Sequence, residues 1–109
     1  MIIDFSKIEE LAHPNFKGGE KDYHSRMFSD DRVKIMKGRL TPGASIGLHT
    51  HTIDMEVILL TKGTATVNYD GQTLQLKAGE CHYCPKGHSH CLKNNTDSDI
   101  EFTAIVAQQ

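Results

Sequence analysis

His49 and His51 stand two residues apart, Glu56 follows shortly after, and His90 lies in a second histidine-rich stretch. Side chains two apart on an extended strand project from the same face, so His49 and His51 can present both rings to one point. With Glu56 facing inward, Ile58 and Leu60 face inward beside it, and a carboxylate among such neighbours needs a partner. Left unpaired in an apolar setting it would be neutralised, hydrogen-bonded or bound to a metal. His90 begins a later run with Leu92 on the same face. Three imidazoles and one carboxylate form a ligand set for a single divalent transition metal: Fe, Mn, Ni, Co and Zn all accept it. Polar strand residues facing water would show the same spacing, and spacing alone leaves both readings open.

Other residues compete for chemistry. Cys81 and Cys84 form a C-x-x-C, which suggests a redox pair or, with His88 and His90, a zinc site. No helix N-terminus follows Cys81 and no βαβ pattern surrounds it, so the reading as small buried hydrophobes is preferred for these thiols. His88, two residues before His90, is expected on the same strand face as an acid or base beside the metal, or else as a polar residue at the rim. His13, His24 and His82 have no spacing partner and read as ordinary histidines, while parity does not orient Tyr23, Met27, Met36, Arg39, Tyr69 or Tyr83.

The elements that must position these residues read mostly as strands: 23–28, 33–41, 46–50, 55–60, 64–69, 73–77, 90–94 and 100–106. Ala65, Val67 and Tyr69 alternate with Thr66 and Asn68, and Asp70-Gly71 predicts a tight hairpin into the next run. Ile100, Phe102, Ala104 and Val106 share a face in the last run. Ser6-Lys7-Ile8-Glu9 reads as a capping box, with a short helix from Lys7 to Ala12 ended by Pro14. Many short strands at this spacing predict an antiparallel sandwich or barrel.

The 109 residues suit one domain, 1–109, with a barrel core at about 33–107 and an N-terminal helix and strand within 1–28. Twelve basic against fourteen acidic residues argue against nucleic acid and an anionic membrane as partners. The longest apolar run, Val57 to Leu60, is too short to span a bilayer. Three cysteines with no signal-like start predict reduced thiols in a cytoplasmic protein.

Two stretches resemble the paired motifs of the cupins. Gly43, His49, His51, Glu56 and Gly63 occupy every fixed position of the first motif, and Gly79, Pro85, Gly87, His90 and Asn94 those of the second. The short segment from Thr64 to Ala78 separates them, as in compact members. The resemblance covers Gly43 to Asn94, about half the chain. It implies an all-β, double-stranded β-helix (jelly-roll barrel) whose mouth holds a metal on His49, His51, Glu56 and His90. Similar small cupins include dioxygenases, decarboxylases, isomerases and lyases acting on small oxygen-rich compounds. A metal-dependent enzyme is therefore the leading expectation, with the metal as Lewis acid or O₂-binding centre. A non-catalytic small-molecule binding or sensory module is the alternative, and a structural or storage role the third. A homodimer is expected through the N-terminal segment up to Phe28, which lies outside the motif region and is free to pair with a second chain.

Overall fold

The computed structural model describes residues 1–109. Its ten strands are β1 (Leu11–Pro14), β2 (Asp22–Ser29), β3 (Val33–Leu40), β4 (Ser45–Thr50), β5 (Asp54–Lys62), β6 (Thr64–Tyr69), β7 (Gln72–Lys77), β8 (Cys81–Cys84), β9 (Ser89–Lys93) and β10 (Ile100–Gln108). They form two antiparallel sheets, ordered β1-β2-β3-β10-β5-β8 and β4-β9-β6-β7. This is the all-β, double-stranded β-helix expected from the motifs. No helix is long and apolar enough to cross a membrane.

The predicted helix over Lys7 to Ala12 is absent. Only Phe5–Lys7 turns, as a single 3-10 turn, and its cap is Asp4, whose carboxylate accepts from the Ser6 N–H and hydroxyl. From Leu11 onward the chain pairs with β2, Leu11 opposite Ser25 and Pro14 opposite Asp22. A six-residue helix is too short to sustain itself, whereas an existing strand offers a ready ladder of partners, so tertiary pairing overrides the local signal. Proline is tolerated because β1 is an edge strand.

The core lies between the sheets. The six-stranded sheet contributes Met36, Leu40, Ile58, Leu60, Phe102 and Ala104, and the four-stranded sheet adds Ile46, Ala65, Val67, Leu76 and Leu92. The predicted hairpin forms: Asp70 and Gly71 adopt φ of 48° and 83°, the paired left-handed residues of a two-residue turn that matches strand twist. Asn94, fully buried, follows directly on β9. Its Nδ2 donates to the carbonyls of Leu40 and Ser98, and its Oδ1 accepts from Thr96, closing the loop into β10.

Candidate metal centre

The four motif residues arrive from three strands and the turn after β4. His49 on β4 lies directly across from His90 on β9. A register shift between Ile46 and His49 lets both residues face inward despite their opposite parity, and both line the same cavity. His51 sits just beyond β4, held by backbone bonds of its N–H to the His88 carbonyl and of the Gly87 N–H to its own carbonyl. Glu56 enters from β5, with Val106 of β10 opposite on one side and Cys84 of β8 on the other.

Their ligand atoms converge. His90 Nε2 lies 3.0 Å from His51 Nε2 and 3.1 Å from His49 Nε2. Glu56 Oε1 is 2.9 Å from His90 Nε2, 3.3 Å from His51 Nε2 and 3.9 Å from His49 Nε2. Each imidazole is held from behind through Nδ1: His49 faces the Gly47 carbonyl at 2.8 Å, His51 the Asp54 carboxylate at 2.7 Å, and His90 the His82 Nε2 at 3.0 Å. Nδ1–H groups donating to the first two acceptors leave the Nε2 lone pairs aimed at one another. Buried lone pairs do not gather without a cation or proton to share, and rings oriented through Nδ1 are the usual support of metal-binding histidines. Two nitrogens bound at about 2.1 Å and at right angles lie about 3.0 Å apart, which matches the separations seen. The donor set fits a transition metal.

Electrostatics agree. Burial alone would push the Glu56 carboxyl up, but the His49, His51 and His90 hydrogen bonds outweigh it and hold it well below the usual carboxylate range. The Glu56 hydrogen bond raises His51 above the ordinary histidine value against the opposing effect of burial, and Asp54 adds to the rise. Burial, then His90, push His82 down to about 4, so at neutral pH it is uncharged and can accept a hydrogen bond from His90 Nδ1.

A cavity of about 350 Å³ opens over His49, His51 and Glu56. Phe16, Met27, Met36, Ile53 and Val106 form its apolar wall, and Lys17 and Lys34 bring positive charge to it. Lys17 belongs to the connection between β1 and β2, which is clamped onto β4. A Cβ on Gly47 would stand 2.1 Å from the Lys17 carbonyl, so glycine is required at the residue whose own carbonyl orients His49.

Of the remaining candidates, Tyr23, Met27 and Met36 line the cavity. Arg39 instead pairs with Glu10 and Asp99. Tyr83 is 47% exposed on the outer face. His88 is not in β9. It sits in the turn before that strand, its Nδ1 2.5 Å from Asp70 Oδ2 and its ring stacked on Tyr69, and it does not line the cavity. His88 precedes the strand that carries His90, and the ring it stacks on, Tyr69, lies opposite His90 in the β6–β9 pairing. Cys81 and Cys84, three apart on β8, point to opposite faces and are free thiols. Cys84 lies with His82 and His90 as a second possible ligand group, and in the metal-free protein burial pushes its thiol up to about 11. His82 is the residue that the sequence reading missed. Its only signal was parity with Cys84, invisible without knowing that 81–84 is a strand.

A family model of the cupin domain matches residues 36–106. The chain is a cupin. Among curated proteins, an oxalate-binding protein of Thermotoga maritima is 27% identical over 112 residues, spanning 97% of this chain and 93% of that protein. A crystal structure from the same organism, of a predicted oxalate decarboxylase, superposes with a TM-score of 0.93 at 24% identity, covering 100% of both chains. A sugar phosphate isomerase cupin from Silicibacter pomeroyi superposes with a TM-score of 0.81 at 22% identity, over 100% of this chain and 76% of that one. These two structural likenesses show the fold.

Proposed function

We propose that this cupin binds a small dicarboxylate of the oxalate class on a divalent transition metal held by His49, His51, Glu56 and His90. The observation that carries the proposal is the convergence of three Nε2 atoms and one carboxylate oxygen at a cavity that also presents Lys17 and Lys34. A bound ion supplies a Lewis acid that draws carboxylate oxygens. The chain's own residues do the rest. Lys17 and Lys34 offset the ligand's charge, and the apolar wall of Phe16, Met36, Ile46 and Val106 limits water and strengthens those interactions. Glu56 and Asp54, the two carboxylates lining the cavity, are engaged by imidazoles and do not repel the anion freely. The name of the Thermotoga maritima oxalate-binding protein, which aligns over nearly the whole chain, supports the same ligand class.

Turnover is the second reading. The observation favouring it is His13, the one cavity imidazole outside the metal cluster, whose Nε2 lies 3.1 Å from Ser25 Oγ. It is better placed than His88 to carry a proton to or from a bound carboxylate.

The test is metal analysis of untagged protein followed by calorimetric titration of oxalate, malonate and neutral oxamide into apo protein and into protein loaded with Fe, Mn, Co, Ni or Zn. Oxalate should bind only the loaded protein, and Lys34→Met should weaken it about tenfold. Equal binding to apo protein, or none with any of these metals, would overturn the proposal. Loss of oxalate on incubation, abolished in His13→Gln, would establish the second reading.

A further inference from the structure

One free thiol of the protein is buried beside two imidazoles and takes no part in the cavity. His82 and Cys84 stand two apart on β8 and both turn inward, where β8 runs beside Ile58 and Glu56 of β5. From the other sheet, His90 of β9 brings its Nδ1 to 3.0 Å from His82 Nε2. The Cys84 sulfur completes the group, whose ligand atoms all lie within 4.8 Å of one another. All three residues are buried, Cys84 completely. None of them lines the cavity, so the group sits behind His90, on the side away from it.

We propose that His82 Nε2, Cys84 Sγ and His90 Nδ1 form a second metal site, suited to Cu(I), which competes with the cavity ion for His90. Donor type is the first argument. The group offers two nitrogens and one sulfur; a thiolate selects a soft ion, and Cu(I) is satisfied by three ligands where zinc takes four. Charge is the second. Cu(I) with one thiolate is net neutral, whereas a divalent ion on the same donors leaves a positive charge in a buried place. Geometry is the third. Bonds of about 2.1 Å to nitrogen and 2.3 Å to sulfur in a trigonal plane set the nitrogens about 3.6 Å apart and the sulfur about 3.8 Å from each. The group already lies within that reach for sulfur, and its nitrogens, now at 3.0 Å, need to part by about 0.6 Å.

The protons balance as well. Cu(I) displaces the Cys84 thiol proton to solvent, as a coordinated thiol gives up its proton to the ion's charge. The His90 proton moves from Nδ1 to Nε2, where Glu56 Oε1 at 2.9 Å accepts it. The cavity ion requires the opposite tautomer, with Nε2 bound and Nδ1–H donated to His82. Each ion therefore places a proton where the other would bind. Toward the cavity ion His82 acts only through His90; here it is itself a ligand.

The test is anaerobic titration of Cu(I), as its acetonitrile complex, into the metal-free full chain against a chromophoric Cu(I) chelator. Wild type should take up one Cu(I) per chain and show a thiolate-to-copper absorption band in the ultraviolet. Cys84→Ser should lose the band and weaken Cu(I) binding at least about a hundredfold, more than the loss of a supporting contact would. Cys81→Ser and Cys91→Ser, which change the other two thiols, should keep both. If Cys84→Ser does not fold by circular dichroism, Cys84→Ala replaces it. Cu(I)-loaded wild type should bind Co(II) at least about tenfold more weakly than metal-free protein does. The Cu(I) measurements need no divalent ion, so their failure is told apart from failure of the cavity reading. Uptake without the band, as on the cavity imidazoles alone, would overturn the proposal. So would a Cu(I) affinity that Cys84→Ser leaves unchanged, or full Co(II) affinity in the Cu(I)-loaded chain.

Discussion

Replacing His82 with Phe should weaken metal binding without touching a ligand. His82 is 7% exposed, and its Nε2 stands 3.0 Å from His90 Nδ1. Phe fills the space and keeps the edge-on contact with Tyr69, but it removes the acceptor. A buried N–H left without a partner costs about 1–3 kcal/mol. Loss of such a supporting contact lowers metal affinity about 10–100-fold, equivalent to roughly 1.4–2.7 kcal/mol, so the two routes agree. His82→Gln, which retains an acceptor oxygen, should recover most of the loss. Competition against a chromophoric chelator measures all three proteins. Stability against pH gives an independent check in metal-free protein. His82 titrates at about 4 when folded and at the ordinary 6.5 when unfolded, so the unfolded chain takes up its proton first as pH falls. Its neutral burial is harmless above pH 6.5, and stability is lost progressively down to about pH 4, by about 3 kcal/mol in all. His51, raised on folding, acts in the opposite direction, but it is present in both proteins. The difference between wild type and His82→Phe should therefore shrink toward low pH. Equal metal affinity in wild type, Phe and Gln proteins would refute the role given to His82.

Three further expectations rest on the same geometry. The triple variant His49→Ala, His51→Ala, His90→Ala should hold no stoichiometric metal, and wild-type affinity should fall steeply as pH drops through about 6.5, where protons compete for imidazole; affinity flat down to about pH 5 would contradict histidine ligation. Gly47→Ala should cost about 1–3 kcal/mol in a denaturant melt and lower metal affinity as well, because the new Cβ collides with the Lys17 backbone and displaces the carbonyl that orients His49.

Much of this molecule could be read before any fold was known. The strand runs, the Asp70-Gly71 hairpin and the inward faces of β6 and β10 depend on local periodicity and turn chemistry, which a linear string records directly, whereas the four converging residues were singled out by their resemblance to the cupin motifs, spacing alone having left them open. What it does not record is which strand lies beside which. The helix expected at Lys7 to Ala12 gave way to pairing with β2 because strand addition satisfies more backbone groups than an isolated turn can. The strand Cys81–Cys84 showed no apolar alternation, since its inward residues are a histidine and a cysteine, and with it His82 was lost from view. His88, expected within the strand that carries His90, lies in the turn before it, against Asp70 and Tyr69. The same holds for His13, Lys17 and Lys34, carried to the cavity from outside the motifs. Sequence determined which residues are able to bind, because ligand chemistry belongs to the side chain. Tertiary structure decided what supports and surrounds them, because register across a sheet is set by long-range pairing that no local pattern encodes.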